Sequence, residues 1–325
     1  MVRLGAVALS MKLSGKIITL NLAAVMLISV STFGVAYLKV SSGLNQLANE
    51  ALAAAAATVQ SEVKDLERKT QEVAVMLAGR EDIIQALAQT NQAQIQDLSQ
   101  KCLKQFGLGV ITVANRSGTV VGRGHSSRVG DSVLAQANVK KALSGETVTL
   151  LEEGTEVKFS LRTGCPVKQG AEIIGTVTVG ADLSKDHAFV DFIKNKHGVE
   201  CTIFQKDRRE STTLLHDGQR LVGTRMDNPT VIETVLHQGK PFTSVNQIAG
   251  QAYDTYYWPI YGENHQMVGM FFIGKDRKYL EDARSQMLLA LSGVMVVIGG
   301  LSLIAAFGLG RSIGRHTHSL RTPDP

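Results

Sequence analysis

The sequence predicts an α+β fold in which two transmembrane helices flank a long N-terminal helix and two tandem antiparallel-sheet modules. Three observations support it: two long uncharged apolar runs, an apolar stripe with helical spacing, and a strand-rich pattern that occurs twice. The overall composition, 44% hydrophobic and 19% charged, is that of a globular protein. The membrane signal is therefore confined to the two apolar runs.

Each apolar run is long enough to cross a bilayer. Residues 17–38 and 286–310 contain no charged side chain. At about 1.5 Å per helical residue, either run spans the roughly 30 Å hydrocarbon core. A cleaved signal peptide is the alternative for the first run, since Gly34-Val35-Ala36 resembles a cleavage site, but the run is longer than a signal-peptide core.

The charges that flank the two runs predict the orientation. Basic residues stay in the cytoplasm, and six lie before the first run or after the second: Arg3, Lys12, Lys16, Arg311, Arg315 and Arg321. Both ends are therefore expected to be cytoplasmic, in a multi-pass inner-membrane protein with residues 39–285 periplasmic or extracellular. No basic cluster alternates with aromatic residues, so a nucleic-acid partner is not expected.

The region after the first run has an apolar stripe at steps of three, four or seven residues: Leu44, Leu47, Ala51, Ala55, Val59, Val63, Leu66 and Val73. This spacing predicts a long amphipathic helix with a coiled-coil-like seam. The helix could pair with a second copy in a homodimer, or it could cover its own sheet. We expect the membrane-near half to pair and the far half to pack on the sheet.

Beyond Gly107 the pattern changes to the alternation typical of strands. Strands are predicted over residues 108–114, 119–122, 146–152, 156–162 and 172–179, and a helix over 132–143. The layout returns about 94 residues later, with matched pairs Gly145 and Gly239, Pro166 and Pro259, Gly175 and Gly269, and Gly180 and Gly274. This repeat predicts two α+β modules, separated by a helix over residues 184–197.

Three strings in these modules resemble the double-Cache family of PAS-like sensors, which occur on bacterial chemoreceptors and sensor kinases. The strings are GHSSRVGD at 124–131, FSLR at 159–162 and YYWPI at 256–260. They look like the Cache 3/Cache 2 fusion type found in methyl-accepting chemotaxis proteins, over about residues 40–280. The resemblance implies a first module far from the membrane, a second module near it, and a receptor for a small molecule.

A second resemblance follows the last apolar run. The segment from Arg311 to Arg315 resembles the opening of a HAMP linker, although His316 stands where a proline is expected. Such linkers join a sensor to its output, so the chain is expected to be truncated, without its cytoplasmic signalling module. The predicted whole protein is a chemotaxis receptor. The alternatives are a histidine kinase, a cyclic-nucleotide enzyme, or a membrane-anchored structural protein that binds no ligand.

These interpretations divide the chain into seven segments. They are a cytoplasmic N-terminus (1–16), a transmembrane helix (17–38), a helical stalk (39–106), a membrane-distal module (107–183), a connecting helix with a membrane-proximal module (184–280), a second transmembrane helix (286–310) and the start of the linker (311–325). Sequence signatures of phosphate loops, zinc proteases and serine hydrolases are absent. We expect no enzymatic activity, cofactor or metal. Cys102, Cys165 and Cys201 lack metal-site spacing, and buried free thiols are expected.

The candidate ligand site lies in the first module. Arg123, His125 and Arg128 fall within six residues of one another, and Arg162 follows Ser160 near the end of a predicted strand. Arginine offers a planar fork for carboxylates, and histidine adds a donor that charges near neutral pH. These five residues are predicted to bind a small organic anion, with carboxylates as the leading class.

A related arrangement occurs in the citrate- and dicarboxylate-sensing kinase domains, with an arginine, a histidine and a later Ser-Leu-Arg string. Here the arginine-to-histidine spacing is shorter, and Gly164 stands where the citrate sensors carry a lysine. Citrate itself is therefore not the expected ligand. The alternative is that the arginines form surface ion pairs with neighbouring carboxylates, namely Asp131, Glu152, Glu153 or Glu156.

The second module offers a secondary set of candidates along one strand. Tyr253, Tyr256 and Trp258 could form an aromatic wall of a ligand pocket. Strand alternation places only some of these side chains on one face. Aromatic packing in the core is the alternative, and it is the commoner use of such residues.

Overall fold

The computed structural model describes residues 13–319. The predicted cytoplasmic residues 1–12 and linker residues 320–325 therefore lie outside the described residues. The chain divides into two compact units: one holds the residues up to Ala48 and from Arg277 onward, and the other is Asn49–Asp276.

The first unit contains the most apolar parts of two long helices, α1 (Leu13–Ala78) and α7 (Lys278–Ser319). By length and composition, two described stretches, Thr19–Ala78 and Lys278–Gly308, are helices able to cross a membrane. Their most apolar windows bury nothing within the protein, and large apolar side chains there are exposed. The predicted spans 17–38 and 286–310 lie within these two helices.

The second unit begins with the far part of α1, followed by α2 (Glu81–Ala88) and α3 (Gln92–Phe106). The side chain of Asn91 accepts a hydrogen bond from the backbone N–H of Gln94 and caps α3, which ends at Gly107 in a left-handed conformation. The predicted stalk is thus three helices. The far part of α1 packs on the first sheet, as predicted: Val73 and Leu77 are buried there. Val59, in the part of the stripe expected to pair with a second copy, is instead buried against the second module.

The first sheet has five antiparallel strands in the order β2-β1-β5-β4-β3. They are β1 (Val110–Asn115), β2 (Val120–Arg123), β3 (Val148–Glu153), β4 (Phe159–Gln169) and β5 (Glu172–Asp182), with helix α4 (Ala137–Leu143) between β2 and β3. The predicted helix over 132–143 was wrong at its start. Ser132 instead forms a β-bridge with Thr119, and the carbonyl of Asp131 accepts from the N–H of Val120. This pairing keeps residues 131–132 extended.

The second sheet repeats the first. Its strands are β6 (Glu200–Gln205), β7 (Arg208–Thr212), β10 (Phe242–Ile248), β11 (Gln251–Tyr261) and β12 (Met267–Asp276), after helix α5 (Ala188–His197). A hairpin, β8 (Leu215–His216) and β9 (Gln219–Arg220), and a short helix α6 (Pro229–Val231) with a π-helical turn (Ile232–His237) lie between β7 and β10. The order β7-β6-β12-β11-β10 matches that of the first sheet. The duplicated α+β fold is confirmed.

Two further sequence expectations can be compared with the structure. All three cysteines are free and buried, as predicted. The helix predicted from residue 184 begins only at Ala188, because Oδ1 of Asp182 accepts hydrogen bonds from the backbone N–H groups of Ser184 and Lys185. Those bonds fix a turn where the helix was expected.

Candidate functional site

The two faces of the first sheet differ in polarity. The face against the helices α1, α2 and α3 is apolar: Ile111, Val113, Cys165, Val167, Val177 and Val179. The opposite face carries buried polar side chains: Thr112, Arg123, Ser160, Arg162, Thr176 and Thr178. Buried polar groups are costly unless they are hydrogen-bonded or bind a ligand. This polar face is therefore the candidate site.

The same face of the second sheet carries part of an apolar core. At the 94-residue offset, Thr176 corresponds to Met270 and Thr178 to Phe272. Met270 and Phe272 are buried in a cluster with Tyr253 and Tyr257. At these two positions the first sheet is polar and the second is apolar, although the same face of the second sheet also carries the buried polar side chains of Thr202, Arg209 and Thr255.

Arg162 lies in β4 and is only 4% exposed. Its Nε donates to the Ser160 hydroxyl, Nη1 to Oε1 of Gln136 at 2.9 Å, and Nη2 to the carbonyl of Val157 at 2.9 Å. All three acceptors are neutral, and within residues 13–319 no carboxylate oxygen forms an ion pair with this guanidinium. Burial lowers the pKa of Arg162 to about 10, while Glu152 acts in the opposite direction. The site thus holds a buried cation that no carboxylate contacts directly, although Glu152 and Asp182 favour its charged form from a distance.

The loop between β3 and β4 closes directly over this guanidinium. A Cβ atom at Gly154 would lie 1.8 Å from Nη2 of Arg162, so only glycine allows the loop to approach this far. The carbonyl of Val157, in the same loop, accepts from Arg162. An anion that reaches Arg162 must therefore enter past this loop, and it meets a guanidinium with three of its five N–H donors already hydrogen-bonded.

Arg123 is 1% exposed and differs from Arg162 because it has its own carboxylate. Its Nη1 and Nη2 donate to the two oxygens of Asp131 at 2.7 and 2.9 Å, and Nη1 also donates to the carbonyl of Arg128. The Arg123 guanidinium holds the pKa of Asp131 below its usual range. Arg123 thus holds the loop of residues 124–131 in place through Asp131. Its ligand-binding role stays a prediction.

Arg128 forms the kind of surface ion pair with a neighbouring carboxylate that the alternative interpretation describes. It is 57% exposed, and its Nη1 donates to Oε1 of Glu156 at 3.0 Å. An exposed pair of this kind contributes little to stability. Contact of Arg128 with a ligand also stays a prediction.

His125 is neutral at physiological pH, whereas the sequence predicts a histidine that charges there. Burial first, and then the charges of Arg123 and Arg162, lower its pKa to about 4. The backbone N–H of Ile111 donates to Nδ1 of His125 at 3.4 Å. The proton of the neutral ring is therefore on Nε2, which is left as a hydrogen-bond donor.

Lowering the pH should destabilise the first module through His125. A folded-state pKa near 4 against a usual value of 6.5 means that the stabilisation is complete above pH 6.5 and is lost as the pH falls toward 4. We expect the free energy of unfolding of residues 49–276 to fall by about 1–2 kcal/mol between pH 7.5 and pH 5, after allowing for the partial exposure of the ring. Denaturant titrations at both pH values measure this change.

The variant His125→Gln should lose this pH dependence. The matched control is His216→Gln, because His216 lies on the surface hairpin with its side chain 59% exposed. If the two variants lose the same pH dependence, His125 is not the responsible group.

Sequence reasoning missed several buried polar groups on the polar face. Oε1 of Glu152 accepts from the backbone N–H of Asn138 at 2.9 Å, whereas its Oε2 is buried without a partner. Burial raises the pKa of this carboxyl group. Oδ1 of Asn138 and Oγ1 of Thr176 are also buried and unpaired within the described chain. The available signal was an asparagine inside a predicted helix, where this residue is unfavourable.

The secondary candidates do not form one wall. Trp258 stacks on Phe271 with ring centroids 5.3 Å apart, and Tyr256 lies 5.9 Å from Trp258 on the same face. Tyr253 lies on the opposite face, in the cluster that contains Tyr257. The structure therefore shows the aromatic core packing of the alternative interpretation.

Comparisons with known proteins agree with this architecture. Two family models, both described as single Cache domain 3, match residues 57–190 and 181–287. A search of curated proteins found no match.

The chain is also similar to solved sensor domains. That of the V. cholerae histidine kinase DctB is 13% identical, with a TM-score of 0.46 over 72% of this chain and 98% of that chain. The sensory domain of the Campylobacter jejuni chemoreceptor Tlp3 is 12% identical, with a TM-score of 0.49 over 73% and 97%. The E. coli DcuS sensor domain is 22% identical, with a TM-score of 0.36 over 42% and 96%.

The two matches follow one another along the duplicated sheets and include α1 beyond residue 57. Cache domains are sensory modules that bind ligands. This chain therefore belongs to the Cache family of sensor domains and contains two of them in tandem.

Proposed function

We propose that the chain is the sensor part of a methyl-accepting chemotaxis receptor, and that its first Cache domain binds a small organic anion at Arg162. One observation carries the proposal: a guanidinium that is 4% exposed has only neutral acceptors. A buried ion that no counter-charge contacts is costly in a protein interior. A bound carboxylate would supply that charge.

The surrounding groups suit a carboxylate. The oxygens of the anion would replace the Val157 carbonyl and the Gln136 amide oxygen as acceptors for Nη2 and Nη1, in a two-pronged contact. The Nε2–H of neutral His125 is a further donor. The Ser160 hydroxyl keeps Nε of Arg162 in place. Val157 belongs to the β3–β4 loop. Binding of the anion would therefore change the position of that loop.

We further propose that the protein is a multi-pass inner-membrane protein with residues 39–285 outside the cytoplasm. The two apolar helices support this orientation, as do the basic residues before the first apolar run and after the second.

A thermal-shift screen of residues 49–276 with short-chain mono- and dicarboxylates tests the anion site. A ligand at a hundredfold excess over its Kd stabilises the folded state by about 2.7 kcal/mol, which raises the Tm by several degrees. Arg162→Gln should abolish this shift because it removes the charge-assisted hydrogen bonds. Arg162→Lys should restore only part of it, since an ammonium group cannot make the two-pronged contact.

The control is Arg116→Gln, which removes an exposed arginine of the same module that is not among the candidate site residues and should keep the full shift. Full stabilisation of the Arg162→Gln protein would place the ligand elsewhere. Affinity should be constant between pH 6 and 8 and fall only as the pH rises toward the pKa of about 10 of Arg162.

We also propose that the receptor is a parallel homodimer joined by the membrane-near half of the α1 seam. Leu47 is 63% exposed, and Ala51 is also exposed on the same stripe. In the full chain, Leu47→Cys and Ala51→Cys should crosslink between copies under mild oxidation. Lys101→Cys is the control and should not crosslink, because it replaces an exposed side chain of α3 that lies outside the seam. Equal crosslinking at all three positions would indicate random collision.

A further inference from the structure

The second module contains a polar cavity of about 460 Å³ beside the edge strand β7. Its lining includes Arg209, Thr224, Asp227, Asn228, Asn246 and Tyr257. A cavity of this size with several converging polar groups is typical of small-molecule sites. It belongs to the second module and shares no residue with the Arg162 site.

Arg209 is the buried cation of this cavity and is only 7% exposed. Its Nη1 donates to Oγ1 of Thr224 at 2.9 Å and to the carbonyl of Arg225 at 3.1 Å, and the guanidinium lies over the ring of Phe204. Its Nε is buried and has no hydrogen-bond partner among the described residues. None of the ion pairs within residues 13–319 involves this guanidinium. A buried donor without an acceptor is costly, so a bound oxyanion would stabilise the site.

The opposite wall is polar and fixed in place. Nδ2 of Asn228 donates to Oδ1 of Asn246 at 2.9 Å, and Nδ2 of Asn246 donates to the hydroxyl of Tyr257 at 2.9 Å. Asp227 lines the same cavity and is exposed, so its carboxylate faces water. The cavity thus combines one buried cation with one carboxylate at its open side.

Arg209 is not a duplicate of the arginines in the first module. It pairs with Phe204 in the second sheet as Val120 pairs with Ala114 in the first. The duplicated fold itself therefore does not require an arginine at this place.

We propose that this cavity is a second ligand site, for a small carboxylate that carries a hydrogen-bond donor next to the carboxyl group. The ligand carboxylate accepts from Arg209, and the adjacent hydroxyl or ammonium group donates to Asp227. The class is therefore short 2-hydroxy and 2-amino acids. A carboxylate without the donor would keep the contact with Arg209, but it would form no hydrogen bond to Asp227 and would be repelled by that carboxylate.

Three probes of nearly equal size test this, because L-lactate, L-alanine and propionate differ only in the substituent at carbon 2. Binding to the full chain in lipid nanodiscs is measured by calorimetry. We expect lactate or alanine to bind at least about tenfold more tightly than propionate, the effect of one hydrogen bond to a charged group. Arg209→Gln should weaken binding by at least about tenfold. Asp227→Asn should remove the preference over propionate.

All probes are measured on chains that also carry Arg162→Gln, so that binding at the first module does not contribute. In that background, Arg208→Gln changes the exposed neighbour of Arg209 on the same strand and should leave the affinity unchanged. Asp227 is exposed, so Asp227→Asn gives the answer even if Arg209→Gln does not fold. The proposal is overturned if none of the probes binds, or if binding is unaffected by both Arg209→Gln and Asp227→Asn.

Discussion

The variant Asp131→Asn should destabilise residues 49–276 by about 3–5 kcal/mol, the usual cost of removing one partner of a buried ion pair. The arginine left behind is Arg123, which is 1% exposed and has no other carboxylate among its hydrogen-bond partners. An amide retains one acceptor oxygen but no charge, so the guanidinium stays buried and uncompensated. Denaturant unfolding followed by far-UV circular dichroism measures the loss.

The matched control is Glu156→Gln, which removes the carboxylate partner of Arg128 in the same part of the module. That arginine is 57% exposed, so the expected cost is below about 1 kcal/mol. Similar losses in the two variants would mean that Asp131 is not compensating a buried charge. Asp131→Asn should also leave any ligand shift at Arg162 measurable if the variant remains folded, because Asp131 does not contact that arginine.

The fold was predictable because its determinants are local and occur twice. Gly175 and Gly269 lie on the last strand of their modules, where the neighbouring carbonyl leaves no room for a side chain. A repeat with such matched glycines can be recognised in the sequence without knowledge of long-range contacts. The start of α4 was not predictable, because the bridge between Ser132 and Thr119 that keeps this segment extended joins residues thirteen positions apart.

The site was predictable only in part, since the chemistry of each arginine depends on distant residues. Arg123 and Arg162 look alike in the sequence, yet Asp131 neutralises the first and only neutral oxygens contact the second. Gln136 and Val157 reach Arg162 from two separate loops. Nothing in the sequence around His125 indicates its low pKa. The low value arises only in the folded protein, from burial of the ring and from the two arginines near it.

The second large effect concerns the matched glycines of the two modules. A Cβ atom at Gly269 would lie 1.9 Å from the carbonyl oxygen of Phe204, and one at Gly175 would lie 2.2 Å from that of Ala114. Both oxygens belong to neighbouring strands of the same sheet, so neither moves without breaking the strand pairing. Gly269→Ala and Gly175→Ala should each destabilise their module by about 3 kcal/mol or more, the upper range for overpacking.

Gly79→Ala is the control, because its nearest neighbour, the carbonyl oxygen of Val75, lies at an ordinary 3.5 Å. It should change stability by less than about 1 kcal/mol, with a small gain from the reduced freedom of the unfolded chain. Fluorescence of Trp258, which stacks on Phe271 in the second module, follows unfolding of that module, and circular dichroism follows both. Gly269→Ala should therefore lower the fluorescence midpoint directly. An unchanged midpoint in this variant would show that β6 and β12 can separate enough to admit a methyl group, and that the shared glycines are not required by the duplicated sheet.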